Sequence, residues 1–136
     1  MTTIKAYTDI EQSNILKDIL PPESADHHYV RKICDFMGNP VNGEWSTPKY
    51  GNPNSSYANY AVQNFTSYEK LPCWSLAALF NLFDWPKLST SSMGDGSNGV
   101  MISVYPNGYR HDSGWHDNPV DACYEMICKL HKQKLL

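Results

Sequence analysis

Charge is scarce in this sequence, and no long stretch of it has one sign. Charged residues occupy 18% of the 136 positions and the formal net charge is −3, against roughly a quarter charged in an average soluble domain. Apart from the tail KLHKQK there is no Lys/Arg block. With no electrostatic footprint for a phosphate backbone, nucleic acid is not expected as the main partner. No apolar run approaches the roughly 18 residues of a membrane span, so no membrane association is expected. The opening MTTIKAYTDIEQ lacks the basic end, apolar stretch and small-residue cleavage site of a secretory signal. A cytosolic, cytoplasmic protein is the expectation.

Metal-ligand spacing is missing as well. Cys34, Cys73, Cys123 and Cys128 form no Cys-x-x-Cys pair, and neither a His-Glu-x-x-His helix nor a carboxylate loop is present. Cys123 and Cys128, five apart on a helix, stand about 140° apart around its axis and cannot share one ion. In a reducing compartment the four are read as free thiols rather than two bridges. No metal and no cofactor is expected.

Aromatic residues and turn formers are abundant instead: Phe, Trp and Tyr make up 12% of the chain, with nine Tyr and nine Pro. A chain of this length fits one domain, 1–136, with a sizeable core. In TDIEQSNILKDILPP, Thr8 and Glu11 form a capping box, and a stripe of Ile15, Leu16, Ile19 and Leu20 predicts a helix over 9–20 that Pro21 and Pro22 stop. ADHHYVRKICDF reads as a strand from its β-branched and aromatic residues. Residues 38–64 are rich in Gly, Asn, Pro and Tyr, which predicts a long loop that is either functional or partly disordered. LPCWSLAALFNLFDWPKL predicts a buried central helix over about 72–84, with Pro72 in its first turn. STSSMGDGSNG reads as a flexible linker; it follows no strand, opens no helix and lacks the phosphate-loop lysine. VMISVYPNGYRHDSGW predicts a hairpin over about 100–115, and Asp117 or Asn118 caps a last helix that starts at Pro119. The fold class is therefore α+β: a small antiparallel sheet packed against the central helix and the N- and C-terminal helices.

Two stretches, LPCWSLAALFNLF and DNPVDACYEMICKLHKQKLL, with LPPESADHHY as a weaker third, resemble a family of short uncharacterised proteins encoded by phages and mobile elements of gut Bacteroidales. That family joins a Pro-x-Trp-Ser-Leu helix, a hairpin and a terminal Asp-Ala-Cys…Met…Lys-Leu helix. The resemblance implies an accessory role inside a bacterium, implies no activity, and leaves residues 38–64 unmatched.

Two classes of function follow from these residues. Tyrosines set among Ser, Gly and Asn make a contact surface, because a rigid amphipathic ring loses little entropy on binding. Trp45, Tyr50, Tyr57 and Tyr60, with His111, Asp112 and His116 of HDSGWHDN, are thus candidate ligand-binding residues for a host protein or a small polar ligand such as a nucleotide signal. Association of copies through exposed aromatics is a third outcome. The alternative is a cysteine hydrolase, in which Cys73 at a helix start gains thiolate character from the dipole, His111 or His116 acts as base, and Asp112 orients it. A small core residue at a helix start is the plainer account of Cys73, and no oxyanion-hole glycine stands near it.

Overall fold

The structure, a computed structural model, describes residues 5–60, 64–92 and 98–136. Its elements form a small α+β fold with two antiparallel sheets and three α-helices. The chain divides into two compact units, Asp9–Trp74 and Ser75–Leu136, the latter completed by the residues up to Thr8. Among the described residues no helix is long and apolar enough to cross a membrane.

The first unit opens with α1, Ile10–Leu16. Its cap is Asp9 rather than Thr8: the Asp9 carboxylate accepts from the Gln12 N–H at 2.8 Å, and the Asp9 N–H donates to Gln12 Oε1 at 3.2 Å. Thr8 is buried instead. The expected helix over 9–20 closes early, because the next N–H groups turn back onto Ile15 and Leu16 in tight turns before Pro21. Strand β1, His27–Cys34, then pairs antiparallel with β2, Lys49–Tyr50, on one side and β3, Ser67–Cys73, on the other.

Residues 38–64 are less of a loop than their composition predicts. Val41, Gly43 and Ser46 donate to the carbonyls of Ile33, Lys32 and Val30, so this segment runs along β1 until β2 takes over. A 3-10 turn, Ser56–Ala58, follows. Ala61, Val62 and Gln63 lie outside the described residues.

The expected helix over 72–84 is corrected in the same way. Leu71, Pro72 and Cys73 are buried at the end of β3, and α2 is only Leu76–Phe80. Proline has no N–H for a sheet ladder but is tolerated in an edge strand, which β3 is in the order β2-β1-β3. Ser75 then starts the helix, its hydroxyl accepting from the Ala78 N–H at 3.2 Å. A buried strand end followed almost directly by a short helix that buries only Ala78 and Leu79 produced the all-round hydrophobic pattern.

In the second unit the residues read as a linker supply two strands. Strand β4, Lys87–Ser92, pairs with β5, Asn98–Val104, and β6, His111–Asp112, completes the order β4-β5-β6. Residues 93–97 of that stretch lie outside the described residues. The hairpin from β5 to β6 is the one the sequence predicts. Helix α3, Pro119–Lys132, is capped by Asn118, whose side chain accepts from the Asp121 N–H at 2.8 Å. Val120, Cys123, Met126, Ile127 and Leu130 are all buried on α3, each such side chain contributing about 1–3 kcal/mol of hydrophobic stabilisation.

Candidate functional site

Successive residues of β1 face opposite sides of the sheet, and the aromatic segment uses both sides. On one side stands His28, fully buried. Its Nδ1 lies 2.8 Å from the Gly51 carbonyl oxygen, and its Nε2 is bonded to the Tyr60 hydroxyl. A carbonyl only accepts, so Nδ1 carries the proton and Nε2 accepts from Tyr60. Burial raises the Tyr60 phenol above its ordinary value, which keeps that donor protonated. The Tyr60 ring also meets the Tyr68 ring at 5.7 Å. Tyr60, expected as a contact residue, is thus the pin that holds residues 51–60 to the sheet.

On the other side the His27 ring meets the Tyr50 ring edge-on at 5.9 Å, and Tyr50 meets Tyr57 at 4.8 Å, again edge-on. Both tyrosines are 65% exposed. Gly51 makes the pair geometrically accessible to each other: at φ +96° a Cβ there would lie 2.7 Å from the Tyr57 Cβ and 2.6 Å from the Ser55 hydroxyl. Only glycine fits. Trp45 has a different task. The Arg31 guanidinium lies 4.6 Å from its ring centre and is also held by Glu69 at 2.6 Å.

Next to the exposed pair is a groove of about 350 Å³ lined by Pro53, Asn54, Ser55, Ser56, Asn59 and Lys70. Its wall is shaped by local bonds: the Asn54 N–H donates to Asn52 Oδ1 at 2.8 Å and the Ser55 hydroxyl to the Asn52 carbonyl at 2.7 Å. Among the described residues the side chains of Ser56 and Asn59 make no hydrogen bond and the Lys70 ammonium no ion pair. The lining therefore offers two uncommitted hydrogen-bonding groups and one positive charge. Sequence reading pointed to the tyrosines of GNPNSSYANY, whereas its Asn and Ser residues line the groove. Lys70 had no signal at all, since strand pairing alone brings it there.

The histidine cluster resolves into the hairpin. His111 pairs with Val104 and Asp112 with Ser103, but His116 pairs with Val100, so one extra residue is inserted on the β6 side. Gly114, at φ +84°, lies in that bulge. The insertion puts both histidines on one side of the sheet despite their odd spacing. They stand opposite residues four apart on β5, roughly 13 Å along the strand. His111 Nε2 lies 3.2 Å from Asn107 Oδ1, and His116 Nε2 3.2 Å from the Ser113 carbonyl. The Asp112 carboxylate accepts from the Ser103 hydroxyl at 2.6 Å and from Arg110 Nε at 2.8 Å. The Ser103 bond first, and then Arg110, hold its pKa below the ordinary carboxylate range. Each of the three has a structural partner. Among the described residues no group of three or more His, Cys, Asp or Glu is placed to hold a metal ion.

Cys73 closes β3 and opens no helix, so no helix dipole acts on its thiol. It is fully buried and bonded to the Tyr29 phenol. It belongs to the first unit, His111 and His116 to the second. The residue directly opposite Cys73 in the strand pair is His27, whose Nδ1 lies 3.0 Å from Asp26 Oδ1.

No family model matches the chain, and no curated protein or solved structure matches it either.

Proposed function

We propose that this protein is a small non-enzymatic binding module for a polar ligand, acting in the cytoplasm as an accessory of the phage or mobile-element type. The observation that carries the reading is the groove beside Tyr57, where among the described residues the Ser56 and Asn59 side chains make no hydrogen bond and the Lys70 ammonium no ion pair. Small-ligand sites orient their occupants through a few convergent polar groups. The Tyr50–Tyr57 pair does not line the groove, but Tyr57 follows its lining residue Ser56 and leaves an exposed aromatic ring of the kind that stacks on a base or a sugar. A phosphorylated small molecule, a nucleotide above all, matches this set: hydroxyls for Asn and Ser, a negative charge for Lys70. None of the four cysteines is in a disulfide, which suits a reducing compartment. The accessory role is supported by the resemblance of the Pro-Cys-Trp-Ser-Leu and terminal-helix stretches alone.

Calorimetric titration with a panel of mono-, di- and cyclic dinucleotides tests it. Binding by one class, lost in Lys70→Ala and weakened in Tyr57→Ala, is the expected result. A host protein captured at the same tyrosines with no nucleotide response would move the reading to protein recognition.

A second reading has one specific observation behind it: Cys73, His27 and Asp26 adjoin one another in the order nucleophile, base and orienter. In this version of the cysteine hydrolase, His27 replaces His111 and His116. It requires that Cys73 alkylate faster than a free thiol at pH 6 and slow in His27→Ala. Alkylation only after unfolding leaves Cys73 as core.

A further inference from the structure

The chain holds three Asn-Gly steps, Asn42-Gly43, Asn98-Gly99 and Asn107-Gly108. Asparagine before glycine is open to attack on its own side-chain amide, because no Cβ on the next residue shields the attacking backbone nitrogen. The fold treats the three steps differently. The Gly43 N–H donates to the Lys32 carbonyl at 3.1 Å, and a Cβ there would lie 2.5 Å from the same oxygen, so this nitrogen is packed against β1. Gly99 is paired with Ser91 in the ladder of β4 and β5. Gly108 stands in the exposed turn between β5 and β6 at φ +83°, and among the described residues nothing lies within 4 Å of where its Cβ would be. Its N–H donates to the Tyr105 carbonyl at 3.4 Å, the long end of a hydrogen bond.

The Asn107 side chain is folded back over that nitrogen. The Tyr109 N–H donates to Asn107 Oδ1 at 3.3 Å, and the ring that this bond closes contains both Asn107 Cγ and the Gly108 nitrogen. Because Oδ1 accepts there, the orientation of the amide is set, and His111 Nε2, 3.2 Å from the same oxygen, is a second donor. Two donors on one carbonyl oxygen polarise Cγ and share the negative charge that attack places on Oδ1. Asn52 makes the same turn, accepting from the Asn54 N–H at 2.8 Å. Its next residue is Pro53, however, whose nitrogen has no hydrogen to lose.

We propose that Asn107 is a site of self-modification by deamidation, with Gly108 as nucleophile and with Tyr109 and His111 as the donors to the oxyanion. The Gly108 nitrogen gives its proton to water and bonds to Asn107 Cγ. The tetrahedral centre then expels Nδ2, reprotonated, as ammonia and leaves a succinimide ring. Water reopens that ring: breaking the new Cγ–N bond yields aspartate, and breaking the original peptide C–N bond yields isoaspartate. Water enters and ammonia leaves, with no other reactant. Either product adds a negative charge to the turn beside the His111 ring, and isoaspartate also lengthens the backbone of the turn by one carbon. The site does not depend on the polar groove of the first unit.

The test is to keep the full chain for weeks at neutral pH, folded in buffer or unfolded in urea, and to follow aspartate and isoaspartate at each Asn-Gly step by peptide mapping with mass spectrometry. In the folded chain Asn107 should convert at least roughly tenfold faster than Asn42, and in urea the two rates should converge. His111→Ala should slow Asn107, whereas His111→Gln, whose amide still donates, should keep the rate. Asn42 is the internal reference, and circular dichroism verifies the fold of each variant. Equal rates at Asn107 and Asn42 in the folded chain overturn the proposal, and so does a faster rate at Asn107 in urea than in buffer. An Asn107 rate unchanged by His111→Ala overturns the role given to the histidine.

Discussion

The buried imidazole of His28 and the hydroxyl of Tyr60 are bonded to each other, and the far nitrogen of the same ring is bonded to the Gly51 carbonyl. One histidine thereby ties both ends of the segment 51–60, which forms the polar groove, to the middle of a sheet.

Removing that tie should loosen the groove before it unfolds the chain. Tyr60→Phe takes away one neutral hydrogen bond and is expected to cost about 1 kcal/mol. His28→Ala strands a hydroxyl and a carbonyl and leaves a hole, for about 2–4 kcal/mol. Urea denaturation gives both numbers. Nitrogen chemical shifts of the His28 ring should report the Nδ1–H tautomer; the Nε2–H form would refute the bonding scheme.

Alkali should destabilise the second unit through Cys123, whose thiol burial pushes up to about 12. The unfolded thiol loses its proton near pH 8.5, so the folded form binds more protons above that pH. The contribution is complete below the unfolded value and fades as pH rises towards the folded one, at a slope on the order of 1 kcal/mol per pH unit. Melting temperatures at pH 8, 9 and 10 should fall steadily in the unaltered chain and less steeply in Cys123→Ala.

Acid should act weakly through Asp112, held ionised by Ser103 and then Arg110. The sign is opposite: its contribution is present above the unfolded value, about 4, and is lost as pH falls through the depressed folded one. The carboxylate is more than a third exposed, so water screens the pair, and Asp112→Asn is expected to cost less than about 1 kcal/mol at pH 7. Below pH 4 the variant and the unaltered chain should converge in a denaturant titration.

Trp85→Asn should be neutral or stabilising by up to about 1 kcal/mol. Asparagine tolerates the left-handed conformation that tryptophan occupies at a penalty, and the exposed ring has little packing to lose. A loss of more than about 1 kcal/mol in thermal unfolding would mean that the ring is engaged elsewhere.

Local chemistry was legible wherever it acts through neighbours in the chain. Asn118-Pro119 announces the start of α3, the alternation of Val100, Ile102 and Val104 announces β5, and both are found as read. Reading failed where one local signal had two uses. Pro72 suits a first helical turn and equally an edge strand, and only the pairing of β3 with β1 distinguishes them. The small polar residues Ser91, Ser92, Asn98 and Gly99 look like linker because they are one another's ladder partners across β4 and β5.

The sequence by itself determined the α+β class, the capped terminal helix, the hairpin, and the concentration of aromatic and amide side chains between residues 38 and 64. Tertiary structure alone decided which of those aromatics face water. Tyr60 and Trp45 were recruited by His28 and Arg31, residues of β1 that precede them in the chain, while Tyr50 and Tyr57 stayed exposed. It also brought Lys70 to the groove and, through the bulge at Gly114, put His111 and His116 on one side of a sheet but far apart. The physical reason is the same in each case. Caps and periodicity are set by residues within a turn of one another, whereas a site is set by strand register, which joins residues that no local pattern relates.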